Sequence, residues 1–431
     1  MSKRKKRALI ILISIIAILV AYVIYRRCTN YFVSKNARSE FESWLSKQDK
    51  LSPDKNGAQI INKGIALLGD FHYWTIELDF DNQASVVEVT GYVEKFQNAM
   101  QLVKAGLKYK EWSFSPDLEK GFMLTLPSFY NLRQAEILFT WKGQLQELKT
   151  QYSKAMLEYI SILKLANTLN RNQTVISRLF QRIIQIRGLA SLRKMLSDKT
   201  LSKTDLIVLK KTLLNLYSNR TSYLAVLDTE FHLFLESIAR LASGDECAGV
   251  EPWYNPWIYD FGDDVDYVRS WINEVSELDP CKFYEWPEHI KKREMEDDFQ
   301  LIAKMGFFSW LGWELFSSEA YPIKGFLKSY LESELEWRGV LTLLAIRLFE
   351  FEQNQLPDKL VNIKDKDFRG IIIDPCSGKE LIYRKESNDF YLYGVGKNGI
   401  DDNCKASTPF DAEHDAFDAD LDFIFHTPSK N

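Results

Sequence analysis

The sequence is short of the residues that most chemistries need. Its 431 residues hold five histidines, His72, His232, His289, His414 and His426, and no two stand at the spacing that brings two imidazoles onto one zinc ion. No glycine-rich stretch opens a helix in the phosphate-cradling pattern, and no serine sits in a nucleophile elbow. Paired acids such as Asp263 and Asp264, or Asp297 and Asp298, could be invoked for glycoside hydrolysis, but adjacent acids are common on solvated faces. A catalytic role has no motif behind it, and the expectation is a protein that is not an enzyme. Charge excess is lacking as well. A formal net charge of −4 offers a polyanion no field, so nucleic acid is not an expected partner. Aromatics at 13% are too abundant for a solvated linker, and the length allows two or three compact units.

One long apolar run is present. Ala8 to Tyr25 carries no charge and only Ser14 is clearly polar. At about 1.5 Å per residue it reaches roughly 27 Å, close to the hydrocarbon thickness of a bilayer. A cleaved signal peptide would end in small residues, whereas Tyr22, Tyr25, Arg26 and Arg27 stand there, so the run reads as an uncleaved anchor. Those residues also lack the lipoprotein pattern that Cys28 would need. Lys3, Arg4, Lys5, Lys6 and Arg7 precede the span and only Arg26 and Arg27 follow closely, which predicts a cytoplasmic N-terminus in the inner membrane, a single pass through residues 8–25, and the bulk of the chain periplasmic or otherwise extracytoplasmic. In that oxidising space Cys247, Cys281, Cys376 and Cys404 are disulfide candidates. Proximity favours Cys247 with Cys281 and Cys376 with Cys404, four cysteines permit three pairings, and free buried thiols are the alternative.

Residues 1–27 are thus a stub and transmembrane anchor, and residues 28–243 a helical array. Leu138, Trp141, Leu145, Leu148 and Tyr152 recur at helical steps, a turn follows near Thr150, and Met156, Tyr159, Leu163 and Ala166 continue the stripe. Ile176, Leu179, Ile183, Ile186 and Ala190 form the next predicted inward face. Ser202 with Asp205 resembles a capping pair ahead of Leu206, Leu209, Leu213 and Leu216. Leu224, Leu227, Phe231, Phe234, Ile238 and Leu241 form the last stripe. Helices of this length joined by short turns stack as antiparallel hairpins, which gives a mainly α, repeat-like array. Residues 244–290 are an aromatic and proline-punctuated excursion with Trp253, Trp257, Trp271 and Trp286, either a ligand platform or rings that pin a loop to the body. Residues 291–330 continue the helical pattern and include Gly306 to Phe316, an apolar stretch that suits a core helix better than a membrane-surface one, since it has no basic face. A long helix resumes near Lys328 and runs to about Gln355, Pro357 ends it, and strands follow at Leu381–Tyr383, Phe390–Val395 and Leu421–Phe425.

In this last unit, 331–431, the order Asn354-Gln355-Leu356-Pro357-Asp358-Lys359-Leu360, then Asp374-Pro375-Cys376-Ser377-Gly378-Lys379, Tyr383, and Tyr391 through Gly399 followed by Asp401 and Asp402 resembles the C-terminal domain of the major pseudopilin of type II secretion systems. The resemblance covers roughly Leu335 to Phe425 and implies a helix packed on a small antiparallel sheet, with a late loop that binds calcium. The chain as a whole resembles large bacterial membrane-anchored proteins ending in the same module. Pilin-type chains also carry a processing site and an acidic residue in the apolar helix, and Ala8 to Tyr25 has neither.

Asp401, Asp402, Asp411, Glu413, Asp415, Asp418, Asp420 and Asp422 face only Lys405 as a fixed positive charge. Calcium, which takes six to eight oxygens, would relieve that repulsion, and a solvated acidic loop is the alternative. The resemblance marks Asp401, Asp402, Asp411, Asp418 and Asp420 as the ligand candidates. Strand alternation would send Asp418, Asp420 and Asp422 to one face and Leu421, Phe423 and Phe425 to the core. The expected function is a membrane-tethered interaction or scaffold protein with an envelope protein as partner; a component of a secretion or pilus-like assembly is the second reading and an envelope hydrolase the third.

Overall fold

Between Lys3 and Ser46 the sequence has neither glycine nor proline, so nothing interrupts the backbone ladder of the first helix. α1 (Lys3–Ser46) is accordingly one continuous helix that carries the apolar run directly into the body. The computed structural model describes residues 3–48, 51–69, 83–114, 129–171, 174–243, 261–286, 310–396, 399–404 and 422–428, with side chains described from residue 13 in α1. Among the described residues α1 is the one helix long and apolar enough to cross a membrane. Its face from Ile13 to Tyr25 is largely exposed, whereas Asn30, Ser34, Ala37, Phe41 and Trp44 are buried at helical spacing.

The protein is mainly helical. After α1 come α2 (Ala58–Ala66), α3 (Gln83–Lys95), α4 (Gln97–Gly106), α5 (Phe129–Leu148), α6 (Tyr152–Asn167), α7 (Val175–Ser197), α8 (Lys203–Ser218), α9 (Tyr223–Ser243), α10 (Phe261–Ser276) and α11 (Trp310–Gln353). Strands β1 (Ile382–Glu386), β2 (Asp389–Gly394) and β3 (Phe423–His426) form one antiparallel sheet in the order β1-β2-β3. Sequence neighbours pack on one another: α5 on α6, α6 on α7, α9 on α10, while α11 lies against α7, α8 and the sheet.

Local signals explain most boundaries. The turn expected near Thr150 is there, with Thr150 itself at φ 56° between α5 and α6. Ser202 and Asp205 form a reciprocal capping box at the start of α8, and Leu206, Leu209, Leu213 and Leu216 are all buried. α11 stops at Asn354, whose φ of 56° is the left-handed end that asparagine tolerates. Two readings are corrected. The inward face of α7 is not that of Ile176 and Ile183, which are exposed; Val175, Arg178, Gln181, Ile184, Gln185, Leu189, Leu192 and Met195 are buried instead. α7 is clasped by α6 on one side and α11 on the other, so it buries a polar row for cross-helix hydrogen bonds, and a single apolar stripe does not find that face. The long helix, expected to resume near Lys328, begins at Trp310 and takes in the apolar residues up to Phe316.

The closest helix-to-sheet approach is made by two glycines. A Cβ on Gly339 would overlap the ring of Phe425 in β3, and one on Gly394 in β2 would lie 2.9 Å from Leu335. Gly339→Ala is therefore expected to destabilise the protein by about 1–3 kcal/mol through overpacking, read by denaturant titration, and Phe425→Leu in the same chain should recover part of that loss.

Candidate functional site

The calcium candidates centre on a turn beside the sheet. Asn403 and Cys404 both take positive φ, 61° and 60°, a conformation that needs outside support in residues with a Cβ. Asp422 supplies it from the opposite side: its Oδ1 accepts the Asp402 N–H at 3.2 Å and its Oδ2 the Cys404 N–H at 2.8 Å. Asp401 Oδ1 accepts from the Tyr393 hydroxyl at 3.0 Å and from the Asn403 N–H at 2.8 Å. Burial pushes the Asp422 carboxyl above its ordinary pKa against these backbone donors, and the neighbouring Asp401 and Asp402 add to the rise.

Asp422 was expected on the solvent face of its strand and is fully buried. The ladder shifts register between Leu392 and Tyr393, and the 401–404 turn binds the carboxylate. Asp401 and Asp402 are adjacent on that turn, while Asp411, Asp418 and Asp420 lie outside the described residues. Oxygen donors of this kind suit calcium by their chemistry, but among the described residues no three metal-binding side chains converge.

The expected bridge between Cys376 and Cys404 is not formed. Each cysteine is held by a different carboxylate: the Cys376 N–H donates to Asp374 Oδ1 at 2.7 Å, and Cys404 belongs to the Asp422 turn. Asp374 Oδ2 also accepts the Val395 N–H at 2.8 Å, so the Asp374-Pro375-Cys376 turn is tied to the end of β2. Cys247 and the side chain of Cys281 lie outside the described residues, as do His72, His289, His414, Asp297 and Asp298 and the side chains of Asp263 and Asp264.

One histidine does meet a serine and an acid. His426 in β3 lies 3.0 Å through Nδ1 from Ser197 Oγ and 2.8 Å through Nε2 from Asp389 Oδ1, and burial lowers its pKa, with Asp389 pulling the other way. The set has the composition of a nucleophilic triad, yet Ser197 is the last residue of α7. The negative end of a helix dipole opposes charge on its oxygen. The arrangement ties the sheet to the end of α7.

Among the described residues the largest cluster of buried charge lies on α11. Glu332, Glu334, Glu336, Arg338 and Arg347 are all buried. Glu332 pairs with Arg182 of α7, and Glu336 with Arg193 of α7 at 3.4 Å. Glu334 accepts from Arg220 at 2.6 Å, from Arg338 at 2.6 Å and from the Tyr217 hydroxyl at 2.5 Å. Arg338 continues to the Ile373 carbonyl at 2.6 Å, and Arg347 donates to the Leu196 and Ser197 carbonyls at 2.8 and 3.1 Å. Helical periodicity does not reveal this cluster. Its one local signal is the run Glu332-Ser333-Glu334-Leu335-Glu336-Trp337-Arg338 inside an otherwise apolar helix.

No family model matches the chain, and no curated relative or solved structure matches it.

Burial raises the pKa of Glu334, but Arg220 and Arg338 outweigh it and hold the group at about 2, below the ordinary 4.5. Its folded-state stabilisation is therefore complete above about pH 4.5 and is lost as pH falls from there toward 2. Glu334→Ala is expected to cost about 3–5 kcal/mol, because it strands two buried guanidinium groups. The variant's melting temperature should also lose the acid-side decline that Glu334 contributes to the wild type between pH 4.5 and 2.

Proposed function

We propose that this protein is a membrane-tethered interaction protein, not an enzyme, that holds its helical body at a fixed height on the extracytoplasmic face of the inner membrane. The observation that carries this reading is the unbroken course of α1 from the apolar run into the body. Asn30 and Ser34 are already buried within three turns of Tyr25, so no flexible linker separates span from body. A protein that presents a surface at set distance has use for such a stem; a freely diffusing enzyme does not. The five basic residues ahead of the span against two behind it support the orientation.

A second reading, a component of a type II secretion or pilus-like assembly, is favoured by the C-terminal architecture. A long helix packs on a three-stranded antiparallel sheet, in keeping with the pseudopilin-like motif order, and an array of antiparallel helical hairpins precedes it. In either reading Asp401 and Asp402, with Asp411, Asp418 and Asp420, are the residues that would hold calcium and so stiffen the end of the chain.

An alkaline phosphatase fused after Asn431 is expected to be active in cells, and a fusion that works only with a cytosolic reporter would overturn the topology. Affinity purification of the full chain in mild detergent then separates the readings. Secretion-complex membrane proteins in the eluate select the second, and their absence beside an unrelated envelope partner selects the first. For the metal, millimolar calcium is expected to raise the melting temperature of the full chain and to leave an Asp401→Asn/Asp402→Asn variant unmoved; identical melting of the wild type with calcium or chelator removes calcium from the proposal.

A further inference from the structure

The stem does more than pass through the bilayer, because three helices reach the same level at its upper end. α9 runs antiparallel to α1. Ser34 Oγ donates to the Ala239 carbonyl at 2.7 Å, and ten residues further along α1, Trp44 donates to Asp228 at 2.8 Å and stacks on His232 with centroids 4.8 Å apart. α9 therefore points its C-terminal end at the membrane. Ser243, four residues past Ala239, comes level with Asn30, four residues before Ser34.

α10 returns the other way. The Tyr223 hydroxyl at the start of α9 donates to the Val275 carbonyl near the end of α10 at 3.0 Å, and Arg269 pairs with Glu40 of α1 at 2.8 Å. Counting eight residues back along both helices puts Phe261 level with Phe32. The end of α9 and the start of α10 thus sit beside Asn30 to Phe32.

That level is close to the lipid. Five residues separate Tyr25 from Asn30, about 7.5 Å along the helix, which is the outer edge of a leaflet's polar layer of about 5–7.5 Å. Past the exposed Arg27, and before the exposed Lys35 and Asn36, α1 presents two more large rings: Tyr31 is 63% and Phe32 60% exposed, after Ile24 and Tyr25 at 58% and 60%. Tyrosine and other aromatic rings settle at the depth where hydrocarbon gives way to headgroups. The residues joining α9 to α10 lie outside the described residues; in sequence they carry Trp253, Tyr254, Trp257 and Tyr259.

We infer that the end of the α1–α9–α10 trio, comprising Tyr31, Phe32, the last turn of α9 and the first turn of α10, is a second membrane contact seated in the phospholipid headgroup layer. The occupant is the bilayer surface itself, by continuity with the span five residues away. The body is then held by a stem and by a footing beside it, which fixes its tilt as well as its height. This inference rests on the tether proposed above.

The test uses the full chain, without substitutions, in phosphatidylcholine vesicles containing a lipid with a photoactivatable diazirine at headgroup depth, followed by peptide mapping of the labelled sites. Label is expected on Tyr25–Phe32 and also on Arg240–Ser243 and the first turn of α10, at least several-fold above the residues flanking the opposite ends of the same helices, Asn219–Ser222 and Glu277–Asp279. Label confined to α1, with the two ends of α9 and of α10 equal, overturns the footing and leaves the tether standing. Release of the chain from the vesicles by alkaline carbonate would overturn both.

Discussion

α11 buries charged side chains through its middle turns because it has no solvent face on which to put them. From Leu331 to Leu348 nearly every residue is buried, against α7 and α8 on one side and the sheet on the other. A helix that is apolar all round can slide or rotate among its neighbours at modest cost, since dispersion contacts have little direction. Carboxylates cannot, because each is costly to bury unless it meets its own cation. Glu332 and Glu336 find theirs on α7, and Glu334 finds Arg220 just past α8 and Arg338 one turn along. A rotation of one residue, about 100°, would part Glu332, Glu334 and Glu336 from Arg182, Arg220 and Arg193 at once. The pairs thus set the rotation of the helix about its own axis, and with it the face that Gly339 offers to Phe425. Not every buried acid is held this way. Glu136 has Arg133 and Arg187 only at 3.6 Å, and burial wins there, raising its pKa in spite of them.

From α11 the constraint passes outward through arginine. Arg338 reaches the Ile373 carbonyl beside the Asp374 turn, and Arg347 closes the last carbonyls of α7 while lying 5.0 Å from the centre of the Phe390 ring. His426 adds a third tie, between β3 and Ser197. The sheet is consequently part of the helical body, and one hydrophobic core runs from Ile61 to Phe425. The C-terminal unit cut out near Leu331 would lose Arg182, Arg193 and Arg220, leaving Glu332 and Glu336 without their cations and Glu334 with Arg338 alone, so its behaviour alone would say little about the unit in place.

Features set by neighbours in sequence were legible from the residues alone. The Ser202–Asp205 box, the Thr150 turn, the leucine face of α8 and the hairpin of β1 with β2 all follow from interactions within a few positions. Features set by partners far along the chain were not. The buried face of α7 depends on α11, more than a hundred residues away, and the periodicity of Ile176 and Ile183 pointed at solvent. Asp422 obeyed strand alternation only until a register shift and a turn some twenty residues earlier drew it inside. The charge cluster was visible as composition, but nothing local states that a Glu-rich turn goes inward. Of the metal candidates, the structure brings Asp401 and Asp402 together on one turn and adds Asp422 behind it as the residue that shapes that turn.

The division of the hydrophobic core has a mechanical consequence. Phe41, Trp44 and Leu233 form a small cluster of their own, apart from the main core, and it is the packing that joins stem to body. α9 belongs to both: Tyr223, Val226 and Leu227 lie in the main core and Leu233 in the stem cluster. Among the described residues, stem motion reaches the body through this strut and its partner α10, which is bonded to α9 at Tyr223 and to α1 at Glu40. A stem held by apolar packing alone could pivot, since such contacts have little direction. Trp44 resists that pivot by hydrogen-bonding Asp228 and stacking on His232, and Arg269, lying 5.5 Å from the centre of the Phe231 ring while paired to Glu40, braces the third side. The three helices together behave as a stiff post, and the distance from the apolar run to the body is set by helix rise, with no loop to lengthen or shorten it.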